Sequence, residues 1–505
     1  MRRAYHRGRH GRCAPHRNLA LALGLFVYSA ACGAGDWTVE PRIKLAEIYS
    51  DNLSLSASDK QRDAVTQVAP GVNVQGKSAR SQFNLDYGLQ SLTYANDSSR
   101  NTVYHNLNAN AREQLVREKV FLGATAAIGQ RIIDPAQFVL TDTITPGNRT
   151  NVVSYSVTPE VHDNIGGAVD ADLKYRYGQV NYLDTDMASD STLSDARVGL
   201  RSARHGRVSW GLDYTKTVTD RRSAPQTSLE SGAASLRVGL SDHWAALAVG
   251  GREHNDTTWA KATENGSYWR AGLSWSAARA SVQASYGDRS KAVSLFWSPM
   301  IRTSLRIAYV DQSIGVNPGP TWSGEFRHRT RHTTWQLGYV DEVTNLQIQD
   351  INGYKQTIFD VLLGLKDPSE IPPSIPLINN DFIRKRSNAG VSLNTAFTVA
   401  GINLFYETRE YQVTPASEAD RGADARFDWR VASRTRLLLR ARWLTQDLSG
   451  VVGNDRSYNT SVGMERRMGQ EVIGTVSYAR AARNAVDPQR DYVENRVTLE
   501  VSKKF

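Results

Sequence analysis

The chain is poor in three things, and each absence narrows what it can do. Its 505 residues hold two cysteines, and both, Cys13 and Cys32, fall within the first 34 positions. From Gly35 onward no thiol remains, which excludes thiol nucleophiles, thiolate metal sites and structural disulfides together. Long apolar runs are missing as well: the longest, Leu19 to Tyr28, has ten residues, about half of the roughly 20 that a membrane-spanning helix needs. Lysine is the third scarcity, with 13 lysines against 42 arginines beyond residue 34. Aromatic residues are not scarce (Trp 11, Tyr 21, Phe 12), so the negative mean hydropathy of -0.45 does not signal disorder.

Residues 1–34 stand apart by composition. Arg2, Arg3, Arg7, Arg9, Arg12 and Arg17 precede the apolar run, and Cys32-Gly33-Ala34 supplies small residues for cleavage, the pattern of a secretory signal peptide. An alternative makes Ser29-Ala30-Ala31-Cys32 a lipoprotein site with Cys32 acylated, but a large aliphatic residue should precede the small ones and none does. Without the six leader arginines the chain carries 55 basic against 51 acidic groups, a net of +4 rather than +10. The basic balance is therefore mostly leader, and nucleic acid is not an expected partner.

From Trp37 to the end the apolar residues recur at every second position, as strands require and helices do not. Trp37, Val39, Pro41, Ile43 and Leu45 alternate with Thr38, Glu40, Arg42 and Lys44; Phe83, Leu85, Tyr87 and Leu89 alternate with polar neighbours. In the cleanest case Val169, Ala171, Leu173, Tyr175 and Tyr177 share one face, and Asp170, Asp172, Lys174 and Arg176 share the other. About 25 such segments follow one another, separated by turn-rich stretches.

A soluble sandwich would bury the apolar faces in a common core. A membrane barrel turns them to lipid and its polar faces to a lumen. Full charges at alternate strand positions favour the barrel, as do aromatics near segment ends such as Tyr87, Tyr94, Tyr175, Tyr177, Trp269 and Trp275, which suit interfacial girdles. The expected fold is all-β: a transmembrane antiparallel outer-membrane β-barrel of about 18–26 strands over residues 35–505, in lipid of the outer membrane of a Gram-negative bacterium. The chain closes with Val497, Leu499, Val501 and Phe505 at alternate positions, an ending similar to the signal read by the barrel assembly machinery, although Lys503 occupies a place usually apolar.

Specific runs carry a resemblance. Ile48-Tyr49-Ser50-Asp51-Asn52-Leu53, Val65-Thr66-Gln67-Val68-Ala69-Pro70-Gly71-Val72, and Leu85-Asp86-Tyr87-Gly88-Leu89 with Tyr94 resemble the N-terminal half of the PEP-CTERM system-associated outer-membrane proteins. Asn148-Arg149-Thr150 before Tyr155-Ser156-Val157-Thr158-Pro159, and Arg327 to Trp335 before Tyr339, extend the likeness. It implies a place beside exopolysaccharide operons in bacteria with an exosortase, and a role in polysaccharide export. It implies no catalytic residues.

No phosphate-binding loop or nucleophile elbow is present, and neither catalytic residue, cofactor nor metal is expected. His328 and His332 lie four apart, about 13 Å along a strand, and suit a basic patch better than a metal pair. Asp170 with Asp172 suits an ion-laced wall better than a glycosidase pair. Arg197, Arg201, Arg237, Arg426, Arg430, Arg436, Arg440 and Arg442 join Asp170, Asp172, Lys174 and Arg176 as expected lumen-lining residues, with fork-shaped donors suited to the carboxylates of an acidic polysaccharide. Arginine-rich usage by a GC-rich genome explains the same bias equally well. The stretch Asp367 to Arg386 has four prolines and is expected to be a loop. Three functions stay open: a conduit working with other exopolysaccharide export components, a general diffusion porin, and a non-conducting structural or assembly partner.

Overall fold

The computed structural model describes residues 35–132, 144, 149–183, 189–203, 206–257, 259, 264–346, 348, 380–413 and 416–505. Residues 1–34, the expected signal peptide, lie outside them. Strict alternation produces 24 strands. The first eight are β1 (Asp36–Ser50), β2 (Asp63–Lys77), β3 (Ser81–Tyr94), β4 (Thr102–Val116), β5 (Val120–Ile132), β6 (Arg149–Ile165), β7 (Val169–Tyr182) and β8 (Ser191–Ser202). Then come β9 (Val208–Arg221), β10 (Ala224–Gly239), β11 (Trp244–Asp256), β12 (Gly266–Ala277), β13 (Ala280–Asp288), β14 (Ser290–Met300), β15 (Thr303–Gln312) and β16 (Gly319–Arg329). The last are β17 (Thr333–Asn345), β18 (Asp381–Asn394), β19 (Thr398–Tyr411), β20 (Ala416–Ala432), β21 (Thr435–Asp447), β22 (Asp455–Arg467), β23 (Val472–Asn484) and β24 (Tyr492–Lys504).

Each strand pairs antiparallel with its chain neighbours, and β24 closes the sheet on β1 from Arg42↔Lys504 to Ser50↔Arg496. Closure leaves no unpaired edge, which is what lets so many strands persist without a partner sheet. Among the described residues no helix is long and apolar enough to cross a membrane.

The two rims differ. Connections at the rim holding the first residue of β1 and the last of β24 are two to five residues long. Those at the opposite rim reach 35 residues between β17 and β18.

Period two sorts the side chains. Leu173, Tyr175, Trp210, Leu212, Leu273, Leu337, Leu404, Val462 and Leu499 are exposed on the outer face. Trp37, Trp210, Trp244, Trp297, Trp335 and Trp429 are also exposed, all within four residues of the short-turn ends of their strands. That places a tryptophan ring at one level around the wall.

Two expectations need correction. Asp381–Arg386 belong to β18 and not to a loop, because Arg384 and Arg386 pair in register with β17 and β19; residues 367–379 of the proline-rich stretch lie outside the described residues. Tyr94 is not part of an outer girdle. It sits seven residues from the outward Tyr87, hence on the opposite face, where it is 3% exposed and its hydroxyl donates to the Ile144 carbonyl.

Candidate pore and its constriction

Inward-facing positions are identified by contacts that only the interior allows. Val152, Val180, Tyr182 and Leu193, from β6, β7 and β8, pack against Leu346, Phe382 and Tyr411, from the end of β17 and from β18 and β19. With 24 strands about 4.8 Å apart, a round barrel would measure at least about 37 Å across, so opposite walls touch only where the mouth is drawn together. Phe382 and Tyr411 meet edge to face at 5.6 Å between centroids.

A polar clamp lies beside this apolar contact. The Arg221 guanidinium on β9 donates to Asp381 Oδ1 at 2.6 Å, with side-chain exposures of 2% and 4%. Thr227 Oγ1 and Trp259 Nε1 donate to Asp381 Oδ2 at 3.1 and 3.0 Å, and Asn345 Nδ2 donates to Oδ1 at 2.8 Å. Asp381 thus accepts four hydrogen bonds, the condition under which a buried carboxylate is tolerated. The contact joins the β6–β9 wall to the β17–β19 wall near the long-loop rim. Apart from it, Ile144 packs on Ala46, Ile48, Val65, Leu92 and Tyr94 of β1–β3.

Counting in twos from these contacts places the expected wall residues. Asp170, Asp172, Lys174 and Arg176 share the face of Val180 and Tyr182; Arg197 and Arg201 share that of Leu193; Arg237 shares that of Thr227. Register from Tyr411 through Ala416 carries the inner face to Arg426 and Arg430, then to Arg436, Arg440 and Arg442.

Most of these residues are paired. Asp170 accepts from Asn164, and Asp172 meets His162 at 2.5 Å, so the two carboxylates turn to different partners. Lys174 pairs with Glu160 at 2.7 Å, while Arg176 and Arg197 both reach Asp195 at 3.2 Å. Arg201 meets Asp213, Arg436 meets Glu465, Arg440 meets Asp428 and Arg442 meets Asp424. Arg426 faces Arg440 in register, and Arg430 faces Arg436. Nearer the long-loop end, Arg409 is enclosed by Glu407 at 2.8 Å, Asp420 at 2.6 Å and Glu418 at 3.4 Å. His328 bonds Thr303, whereas His332 sits in a turn near the Asn394 carbonyl, so they do not converge.

Sequence reasoning missed Arg221, Asp381 and the inner-face aromatics that stack with arginine. The Arg112 guanidinium carbon lies 4.5 Å from the Phe121 centroid, Arg306 5.5 Å from Phe296, and Arg386 5.7 Å from Phe405. A polar-face aromatic in an otherwise alternating strand was the available signal.

An apolar outer band, a tryptophan ring, short turns at one rim and a charged inner wall define a porin-like outer-membrane β-barrel. The rim with short turns faces the periplasm in such barrels. A family model described as "Putative beta-barrel porin 2" matches residues 30–129. No curated protein matches the chain. Among solved structures, the chain is similar to the FrpB iron transporter from Neisseria meningitidis in its F5-1 apoprotein form (9% identity, TM-score 0.48, 92% of this chain and 81% of that one). It is also similar to the siderophore receptor PirA from Pseudomonas aeruginosa (9%, 0.41, 92% and 80%) and to a loop-deletion mutant of OmpT from Vibrio cholerae (8%, 0.34, 94% and 100%). At these identities and TM-scores the iron and siderophore chemistry stays with those proteins.

Proposed function

We propose that this barrel is the outer-membrane passage for an acidic polysaccharide, acting with other exopolysaccharide export components. In this reading residues 1–34 are a removed signal peptide, and the terminal strand with Val497, Leu499, Val501 and Phe505 is recognised by the barrel assembly machinery. The observation that carries it is the arginine-rich inner wall. Guanidinium forks pair with carboxylates in two parallel hydrogen bonds and, with their acidic neighbours, give a wall along which a polyanion exchanges one partner for the next.

Rim charge supports the same direction. The short connections carry nine basic and three acidic residues, the connections at the opposite rim nine and fifteen. A basic periplasmic mouth raises the local concentration of an entering polyanion, and an acidic outer mouth disfavours its return. The test is deletion of the gene, with a complemented control, followed by measurement of polysaccharide in the medium and in the periplasm. Loss outside with accumulation inside is expected; unchanged secretion would sink the reading.

A second reading, a general diffusion porin, is favoured by the family match over residues 30–129. It requires small-solute conductance in a planar bilayer and no polysaccharide phenotype on deletion.

A further inference from the structure

We propose that the inner face of β14–β19 carries a binding subsite for an acidic sugar, built on the Phe296 ring and the Arg306 guanidinium. The inference rests on the polysaccharide reading for the source of its ligand, whereas the chemistry of the site comes from the wall itself. Phe296 and Arg306 stand directly opposite on β14 and β15, both on the inner face, with the guanidinium carbon 5.5 Å from the ring centroid.

Two inner-face rings carry a guanidinium with no ion-pair partner among the described residues; Arg270, 5.7 Å from the Tyr268 centroid, is hydrogen-bonded to Ser290 Oγ at 3.0 Å, which leaves Arg306 as the one with its charge unused. Arg112 and Arg386 also lie against inner-face rings, but Glu160 holds the first at 3.0 Å and Glu407 the second at 3.2 Å. Arg306 is exposed and has no ion-pair partner among the described residues. Glu325 is opposite it on β16, yet is turned to Arg327 at 3.5 Å.

Planar amides continue the surface. A Cβ at Gly338 would collide with the Asn388 amide, and one at Gly390 would meet the Gln336 side chain at 3.3 Å and Asn403 Oδ1 at 3.4 Å. These two glycines therefore let Gln336, Asn388 and Asn403 lie close against the wall. The result is a shelf with an aromatic face, one unmatched guanidinium, one carboxylate and three amides. That is the inventory a short oligomer of uronic acids needs. One pyranose presents a C–H face to the ring and its carboxylate takes the two N–H groups of the arginine edge, while the amides, three to five strands of about 4.8 Å from the ring, exchange hydrogen bonds with the hydroxyls of the next sugars.

The shelf's position is also informative. Phe296 is four residues from the short-turn end of β14, about 13 Å from the periplasmic rim at about 3.3 Å per residue. A polymer entering from the periplasm meets it early.

The test uses the full chain refolded in detergent, with oligogalacturonate as the acidic probe and maltopentaose as the neutral one, followed by isothermal titration calorimetry. Oligogalacturonate is expected to bind more tightly than maltopentaose, with an affinity that falls as salt rises. Arg306→Gln should weaken oligogalacturonate about tenfold, the loss expected of one charge-assisted contact, and leave maltopentaose unchanged. Phe296→Leu should weaken both, and Lys60→Gln in the β1–β2 loop neither. Heat-modifiable gel migration checks that each variant is a closed barrel. Equal oligogalacturonate affinity in wild type, Arg306→Gln and Phe296→Leu would overturn the site, as would no binding to the wild type. The passage reading fails separately: a deletion strain that still secretes polysaccharide overturns it even where the purified barrel binds the probe.

Discussion

Arg221 and Asp381 are nine strands apart in the order of the barrel and 2.6 Å apart in space. Replacing Arg221 by Ala leaves a buried carboxylate that three neutral donors cannot compensate. Breaking such a pair typically costs about 3–5 kcal/mol, paid here locally by separating the two walls. Single-channel recording in a planar bilayer should therefore give a higher mean conductance for Arg221→Ala than for wild type. Equal conductance would mean that the clamp does not limit the pore.

Phe382 tests the apolar half of the same contact. Its side chain is 1% exposed and packs on Tyr411 and the β6–β8 wall, so Phe382→Ala should cost about 3–5 kcal/mol in transfer and cavity terms. The loss should appear as a lower urea midpoint for the folded, heat-modifiable band. Combined with Arg221→Ala the costs should be non-additive, because both changes release one contact.

Leu499 lies near the middle of β24 with 56% of its surface exposed on the outer face. In lipid that exposure is contact with acyl chains, and Leu499→Arg should destabilise insertion by about 2–4 kcal/mol. Folding into lipid vesicles measures it, with Leu499→Val as the conservative control. A negligible effect would place this surface outside the hydrocarbon layer.

Phe505 closes the chain with its backbone N–H donating to the Pro41 carbonyl at 2.9 Å, while its ring is exposed beside Lys503. Phe505→Ala removes the ring and keeps the backbone bond. Folding in detergent should be nearly unchanged, and the amount reaching the outer membrane in cells should drop several-fold. An equal loss in both assays would assign the ring a structural role instead.

The barrel was legible from Trp37 onward because a wall between lipid and a polar interior imposes its chemistry residue by residue. Leu173 and Tyr175 against Asp172 and Lys174 need no knowledge of the partner strands, only of the two-residue period. The same alternation named the inner-wall arginines, since a strand flanked by outward apolar residues has one other face. Reading aromatics near segment ends as a girdle located Tyr94 wrongly, because closeness to a segment end says nothing about parity, and Asp381–Arg386 were lost because the last of the four prolines, Pro376, stands five residues before β18.

Strand chemistry, the sidedness of each strand and the two unlike surfaces are thus properties of the amino-acid sequence, which acts through local alternation. The strand number, the register and the clamp come from tertiary structure. Arg221 and Trp259 lie 160 and 122 residues from Asp381, and no local pattern relates them. They meet only after 24 antiparallel pairings have closed the sheet and brought β9 opposite β18, where burying a charge is favourable because its partner is already in place.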